Sequence, residues 1–149
     1  MATINLSPDF KEFLRLLNAQ HVEYLLIGGY AVAYHGYPRA TADMDIWIAI
    51  HPQNAEKVIA VLKEFGFHTA QLTPELFMKK EQIIRMGLPP VRIEIATSIS
   101  GVRFEECWVN RVVDILDDVE VNIIGLEDLR RNKKAAGRHK DLDDLENLP

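Results

Sequence analysis

The stretch that decides the fold is Tyr24-Leu-Leu-Ile-Gly-Gly-Tyr-Ala-Val-Ala-Tyr-His-Gly36, followed by Asp43-Met-Asp-Ile-Trp-Ile-Ala-Ile50. The first segment predicts a buried strand, a tight turn at the glycine pair, and a short helix closed by the final glycine. The second segment predicts a strand, because its apolar residues alternate with charged or aromatic ones. This order of elements can bring the glycine turn and the two aspartates to the same end of a sheet.

The rest of the chain alternates between helix and strand signals. Ser7-Pro8 and Pro52 are typical helix starts, and Gly66 ends the second of these helices. The predicted elements are helices from Pro8 to about Asn18 and from Pro52 to Phe65, a helical turn after Thr73-Pro74, a hairpin of Gln82–Met86 and Val91–Thr97, a helix from Phe104 to about Arg111, a strand at Val119–Ile124, a helix at Leu126–Ala136 and a last turn from Lys140. They predict an α/β (α+β) fold, a small mixed sheet flanked by helices, in one domain over residues 1–149.

Composition is that of an ordinary globular domain, with 149 residues, 48% apolar and 26% charged side chains. The single cysteine, Cys107, cannot form an internal disulfide, and the start Met1–Asn5 lacks the basic and apolar regions of a signal peptide. No apolar run reaches the ~18 residues that a membrane-spanning helix needs. We therefore expect a cytoplasmic protein without a membrane partner.

The net charge of −5 argues against binding nucleic acid through a uniformly positive surface. Positive charge is instead concentrated near the C-terminus, where six cationic side chains lie within eleven positions: Arg130, Arg131, Lys133, Lys134, Arg138 and Lys140. An acidic run follows at once. Asp141 and Asp144 in this run are candidates to anchor the cations or to cap the final helix.

Three acidic residues, Asp43, Asp45 and Glu94, lie inside predicted strands, where carboxylates are disfavoured unless they are solvated, paired or bound to metal. Asp43 and Asp45 are two residues apart on one strand and therefore project from the same face. Paired carboxylates of this kind hold the Mg²⁺ ions used in phosphoryl and nucleotidyl transfer. The alternative is an exposed strand with a solvated polar face.

Gly28 and Gly29 lie between a strand and a helix. Glycines in this position let backbone N–H groups approach a phosphate closely, and the N-terminus of the helix adds a favourable partial charge. The alternative is that the pair only makes the turn.

These residues resemble the signature of the DNA polymerase β-like nucleotidyltransferase superfamily, in which an apolar residue and a glycine pair precede two acids one residue apart. The segment Pro89-Pro-Val-Arg-Ile-Glu-Ile-Ala-Thr-Ser-Ile-Ser-Gly101 matches the region of the third carboxylate. The segment from Leu129 to Leu145 resembles the closing motif of the small bacterial and archaeal branch related to AbiEii-type toxins and minimal nucleotidyltransferases.

The resemblance implies a polymerase β palm-like fold and a role for each matching residue. Gly28 and Gly29 would hold the triphosphate of an NTP, Asp43 and Asp45 would bind Mg²⁺ or Mn²⁺, and Glu94 would ligate the second metal and help to activate the incoming hydroxyl. Cationic residues would neutralise the triphosphate: Lys133, Arg138 and Lys140. Two residues just before the acids, Arg39 and Thr41, would touch phosphate or ribose. The alternatives are a solvated helix for the cations and a plain loop role for Arg39 and Thr41.

The implied function is transfer of a nucleoside monophosphate from an NTP to a hydroxyl acceptor, either an RNA 3′ end such as that of tRNA or a protein side chain. Glu94 stands where the family usually has Asp, so a catalytically weak nucleotide-binding module is an alternative. Such a module would act through a protein partner, as in a toxin–antitoxin pair. A third reading is an NTP- or metal-binding protein that transfers nothing.

Other candidates carry weaker signals. The five histidines have no zinc-site spacing, and His35 is of interest only because it lies between the glycines and the acids. Neighbouring acidic residues raise the thiol pKa of Cys107, which argues against a nucleophile. Trp47 shares a strand face with Asp43 and Asp45, so it is a candidate for stacking on a base or, alternatively, for packing.

Overall fold

The computed structural model describes residues 4–149. The prediction about a signal peptide depends partly on residues 1–3, which lie outside the described part. Within that part the helices are α1 (Pro8–Ala19), α2 (Gly28–Tyr34), α3 (Pro52–Phe65), α4 (Phe104–Val109), α5 (Leu126–Ala136) and α6 (His139–Asn147), with a 3₁₀ turn at Pro74–Met78. The strands are β1 (Tyr24–Ile27), β2 (Asp43–Ile48), β3 (Ile83–Met86), β4 (Arg92–Ala96), β5 (Val112–Leu116) and β6 (Val119–Ile123).

The two long N-terminal helices begin and end where their caps predict. Ser7 Oγ accepts a hydrogen bond from the backbone N–H of Phe10 and closes the start of α1. At the start of α3, His51 Nδ1 accepts from the N–H of Asn54 in the same way. Gly66 ends α3 with φ 112°, a left-handed conformation that favours glycine. Local chemistry therefore fixes both helices.

The six strands form one mixed sheet in the order β3-β4-β2-β1-β6-β5. β2 runs antiparallel to β1 and parallel to β4. The first residues of β2 and β4 therefore lie at the same end of the sheet as the last residues of β1. The register places Ile27 opposite Asp45, and Asp45 opposite Glu94. The predicted small mixed sheet flanked by helices is confirmed. The register brings the glycine pair and the carboxylates to the same end of the sheet.

The hydrophobic core lies mainly on one face of the sheet. Side chains on this face are almost fully buried: Tyr24, Leu26, Met44, Ile46, Ile48, Ile93, Ile95 and Ile123. α1 and α3 add Phe13, Leu14, Leu17, Val58 and Leu62 to the same core. Burial of this apolar surface stabilises the sheet from one side. The opposite face carries the carboxylates at one end of the strands.

Four features differ from the sequence predictions. β5 was not predicted; it forms a hairpin with β6 through Asp117 and Asp118, both at positive φ, without the glycine that usually marks such a turn. α4 ends at Val109, two residues early, because the chain enters β5. The predicted last turn is a complete helix, α6, and α2 begins directly at Gly28 with no separate turn before it. Among the described helices, none is long and apolar enough to cross a bilayer.

Candidate active site

The three carboxylates predicted to carry chemistry lie on neighbouring strands. Asp43 and Asp45 are on β2, Glu94 is on β4, and the parallel register places Glu94 directly beside Asp45. All three contribute to the wall of a cavity of about 540 Å³. The sheet therefore gathers the acidic residues that were predicted to act together.

The glycine pair packs directly against these acids and the segment before them. Gly28 has φ 69°, and a Cβ atom placed on it would lie 2.0 Å from Asp45 Oδ2. A Cβ on Gly29 would lie 2.7 Å from the side chain of Thr41. Both positions thus require glycine for close approach, and Gly28 also requires it for its backbone conformation. The glycine pair at the start of α2 is therefore part of the carboxylate site.

Asp45 is the most perturbed acid of the site. Burial raises its pKa to about 7, and the charge and hydrogen bonding of Glu94 and the charge of Asp43 act in the same direction. Lys140 acts in the opposite direction by its positive charge. Two adjacent, partly buried carboxylates resist simultaneous ionisation unless a cation joins them. Strong perturbation inside a cavity is typical of functional carboxylates.

Two arginines of the hairpin β3–β4 neutralise the other acids. Arg92 makes a two-pronged ion pair with Asp43, with Nε–Oδ1 3.1 Å and Nη2–Oδ2 2.9 Å. Arg85 Nε lies 2.8 Å from Glu94 Oε1. Neither arginine was predicted as a site residue. The alternation along β4 places Arg92 on the same strand face as Glu94, and this sequence signal could have identified Arg92 as a site residue.

All three carboxylates can bind a divalent cation together only if the ion pairs with Arg92 and Arg85 open. Carboxylate oxygens are the ligands that Mg²⁺ and Mn²⁺ prefer, and the pKa of Asp45 indicates a pair of acids without a counter-ion between them. Across residues 4–149, however, no three acidic, histidine or cysteine side chains already form a metal-binding group. Asp43 faces Arg92 instead. Asp45 is the one acid of the three without an ion pair among residues 4–149, and Asp43 and Glu94 become ligands when Arg92 and Arg85 release them.

Cations from the C-terminal helices form the opposite part of the cavity wall. Arg138 and Lys140 line the cavity and are exposed, whereas Lys133 is buried. Lys133 Nζ lies 3.0 Å from Asp144 Oδ2 and 3.4 Å from Asp141 Oδ1. Two of the three N–H donors of Lys133 are therefore directed to these carboxylates, which leaves one for a group in the cavity.

Asp141 and Asp144 are the centres of this ion-pair network, and each carboxylate is only 1% exposed. Asp141 accepts from Arg138 Nε at 2.7 Å, and also caps α6 by accepting from the backbone N–H of Arg138. Asp144 accepts two hydrogen bonds from Arg39. Both anticipated roles, anchoring cations and capping the helix, are therefore present.

The predicted residues divide between two places. The large cavity collects eight of them: Gly28, Gly29, Asp43, Asp45, Glu94, Lys133, Arg138 and Lys140. Arg39 and Thr41 lie instead at a smaller cavity of about 230 Å³ beside Tyr30. Polar residues that the sequence did not single out also line the large cavity: Ser98, Ser100 and Asn132. Asn132 Nδ2 donates to the carbonyl of Ser100 and so holds α5 against the loop after β4.

The three weaker candidates, Trp47, Cys107 and His35, make contacts that are typical of structural residues. Trp47 is 2% exposed and packs edge-to-face on Phe104, which corresponds to the packing alternative. Burial and the nearby acids Asp128 and Glu106 raise the thiol pKa of Cys107 to about 12. His35 Nε2 lies 2.7 Å from the carbonyl oxygen of Ile124. None of the three lines the large cavity in the described chain.

Two proteins are among the solved structures that share this fold. A candidate nucleotidyltransferase from Thermotoga maritima aligns with 92% of this chain and 88% of its own, at 15% identity and a TM-score of 0.62. An antigenic nucleotidyltransferase-like protein from Paracoccidioides brasiliensis aligns with 95% of this chain and 76% of its own, at 16% identity and a TM-score of 0.55. At these identities the likeness concerns the fold.

Sequence comparison gives the family. No curated protein is detectably similar in sequence. Residues 5–148 match the model of a family described as "Nucleotidyltransferase of unknown function (DUF6036)". Because the match covers nearly the whole chain, the protein belongs to this nucleotidyltransferase family.

Proposed function

We propose that the protein transfers a nucleoside monophosphate from an NTP to a hydroxyl acceptor, with release of pyrophosphate. The observation that carries the proposal is the cavity itself, in which three carboxylates from adjacent strands face exposed cations of the C-terminal segment. Acids suit metal ions and a nucleophile, whereas cations suit a triphosphate. A single cavity holds both kinds of group.

The triphosphate would lie between the glycine pair and the cations. Gly28 and Gly29 leave no side chain between the backbone and an anion, and they begin α2, whose N-terminal N–H groups favour negative charge. Arg138 and Lys140 are exposed on the cavity wall and can neutralise the phosphates. Lys133 supports them from the buried network.

Asp43, Asp45 and Glu94 are the residues that would hold Mg²⁺ or Mn²⁺. Such an ion polarises the α-phosphate and lowers the pKa of an attacking hydroxyl. Glu94, which lies beside Asp45 on the cavity wall, would accept the proton of that hydroxyl. The acceptor oxygen then bonds to the α-phosphorus, and the bond from the α-phosphorus to the bridging oxygen breaks as pyrophosphate leaves.

The acceptor we propose is an RNA 3′ end or a hydroxyl of a protein. The proposal is tested by incubating the protein with each α-³²P-labelled NTP, with Mg²⁺ or Mn²⁺, in the presence of total RNA or total protein. Label that becomes attached to one polymer, with release of unlabelled pyrophosphate, supports the proposal and names the acceptor class. Absence of label with every NTP, metal and acceptor would reject it.

A second function, a nucleotide-binding module that regulates a partner protein as in a toxin–antitoxin pair, is favoured by one observation. Arg92 and Arg85 already occupy the carboxylates of Asp43 and Glu94, which would lower the activity of a resting enzyme. The longer Glu94 side chain also displaces a ligand relative to Asp, and misplacement by about 1 Å can lower a rate about 10²-fold. This function predicts nucleotide binding without transfer, and copurification with a partner.

A further inference from the structure

Arg92 occupies a position that no expected role explains. It lies opposite Asp43 in the parallel register of β2 and β4, and its guanidinium takes both carboxylate oxygens of that aspartate. It also reaches to within 3.9 Å of Glu94 Oε1. One side chain therefore contacts two of the three acids assigned to the metal site.

A guanidinium and a divalent cation compete for the same oxygens. A two-pronged pair uses both oxygens of a carboxylate and holds them in one plane. A metal ion that takes Asp43 as a ligand must therefore replace the hydrogen bonds from Arg92. The arginine side chain is 34% exposed and that of Asp43 is 24% exposed, so the guanidinium has solvent to move into.

The exchange leaves the arginine without a partner at the edge of the cavity. Arg85 already occupies Glu94 at 2.8 Å, closer than Arg92 at 3.9 Å. A released Arg92 guanidinium is then an unpaired positive charge beside a cavity that already carries Arg138 and Lys140. Phosphate oxygens are the partners that a guanidinium binds best.

We propose that Arg92 determines the order of binding: its guanidinium holds Asp43 until a divalent cation takes that carboxylate, and the released guanidinium then binds the anionic nucleotide. The inference rests on the proposed function, because it takes the nucleotide as the anion. It adds to that function a residue through which metal binding prepares the site for the triphosphate.

The test measures two affinities of the folded full-length chain by calorimetry. The first is for Mn²⁺ alone, and the second is for non-hydrolysable analogues of the four NTPs in saturating Mn²⁺. R92Q is expected to bind Mn²⁺ about 3- to 5-fold tighter than the original chain, the scale of a partly exposed ion pair. It is also expected to bind the nucleotide analogue more weakly, by about 3- to 10-fold, because the released charge is missing.

R138Q is the matched control. Like R92Q, it removes one positive charge near the carboxylates, but Arg138 lies on the cavity wall and pairs with Asp141 rather than with Asp43. It should weaken nucleotide binding and tighten Mn²⁺ binding less than R92Q does, because Arg138 acts on Asp45 and Glu94 only through its charge and donates no hydrogen bond to either. If R92Q does not fold, R92K serves as the second variant, since an ammonium keeps the charge but not the planar two-pronged contact. R92K should also bind Mn²⁺ more tightly.

Opposite shifts in the two affinities support the inference, because a purely structural Arg92 would not strengthen one and weaken the other. Unchanged or weaker Mn²⁺ binding by folded R92Q would overturn it. Equal tightening in R92Q and R138Q, or no Mn²⁺ binding by the original chain, would also overturn it. The proposed function fails separately, when the two affinities shift as expected and no NTP is transferred.

Discussion

Arg39 and Asp144 form a two-pronged ion pair, with Nε–Oδ1 at 2.7 Å and Nη2–Oδ2 at 2.9 Å, which joins the segment before β2 to α6. Asp144 also holds Lys133 of α5 at 3.0 Å. One buried carboxylate thus ties together the segment that leads into the acids of β2 and the two helices that carry the cavity's cations. The spacing between the acidic and basic sides of the cavity depends on it.

Asp144→Asn is expected to destabilise the protein by about 3 kcal/mol, because it leaves Lys133 and Arg39 with an incomplete partner in a buried place. Glu146→Gln is the matched control, because Glu146 lies on the same helix, is exposed and makes no side-chain hydrogen bond within residues 4–149, so it should change the free energy of unfolding by less than about 0.5 kcal/mol. Urea denaturation measures both. Equal stability of the two variants would contradict the role given to Asp144.

The ion pairs of Asp144 also predict that the protein loses stability as the pH becomes acidic. Burial raises the pKa of Asp144, but hydrogen bonds from Arg39 and Lys133 outweigh it and hold this pKa below its usual range. The unfolded chain therefore binds more protons than the folded one, so this contribution is complete above about pH 4 and is lost as pH falls through the lowered pKa. Asp144→Asn should flatten the fall in unfolding free energy on acidification. A fall as steep as in the original chain would argue against it.

Asp45 has the opposite pH dependence. Its folded-state pKa, raised to about 7 mainly by burial and then by Glu94, means that the folded protein binds more protons than the unfolded chain between about pH 4 and pH 7. The metal-free protein should therefore lose stability as pH rises through this window. Asp45→Asn should remove that loss, and urea denaturation at pH 5 and pH 8 compares the two proteins. An identical pH profile for both would show that Asp45 is an ordinary carboxylate.

Gly28→Ala should impair nucleotide transfer by displacing Asp45, because the new Cβ would lie 2.0 Å from Asp45 Oδ2. We expect nucleotide transfer to fall by about 10²-fold or more. Gly66→Ala is a matched control: Gly66 also has positive φ, but a Cβ there meets nothing within 4 Å. Both variants strain the backbone, so only a contact with Asp45 separates them. Similar activity in both would show that the close approach is unimportant.

Lys140 and Lys133 should respond differently to removal of their charge. Lys140→Gln is expected to weaken nucleotide binding by about 5- to 10-fold with little change in stability, because the side chain is exposed on the cavity wall. Lys133→Gln should mainly destabilise the fold, by about 3 kcal/mol, because it leaves Asp141 and Asp144 without a buried partner. Calorimetric nucleotide binding and urea denaturation separate the effects. A stable Lys133→Gln variant with weak nucleotide binding would instead make Lys133 a direct phosphate ligand.

Local signals in the sequence predicted most of the fold. Ser7 and Gly66 act through their immediate neighbours, so the bounds of α1 and α3 follow from spacing alone. β5 was missed because its turn, Asp117-Asp118, has no glycine, and because its register depends on pairing with β6. Strand pairing is a tertiary property that a short segment does not encode by itself.

The site was predictable in its residue types but not in its ion pairs. Alternation along β2 placed Asp43 and Asp45 on one face, the position of Glu94 inside a strand singled it out as well, and the resemblance gave all three a role in binding metal. The partner of each charge depends on distances between residues far apart in sequence, such as Arg39 and Asp144, 105 positions apart. The resemblance implied that Lys133 neutralises the triphosphate. The burial of Lys133 between two carboxylates was not predicted, because it depends on such distances.

The measurement that tests the central claim most directly is transfer of label from α-³²P NTPs by the original chain and by Asp45→Asn. Asp118→Asn is the matched control, an exposed aspartate in the β5–β6 turn whose conformation asparagine also adopts. We predict labelled product with the original chain and with Asp118→Asn, and none with folded Asp45→Asn. Equal labelling by all three proteins would show that the carboxylate cavity is not the site of transfer.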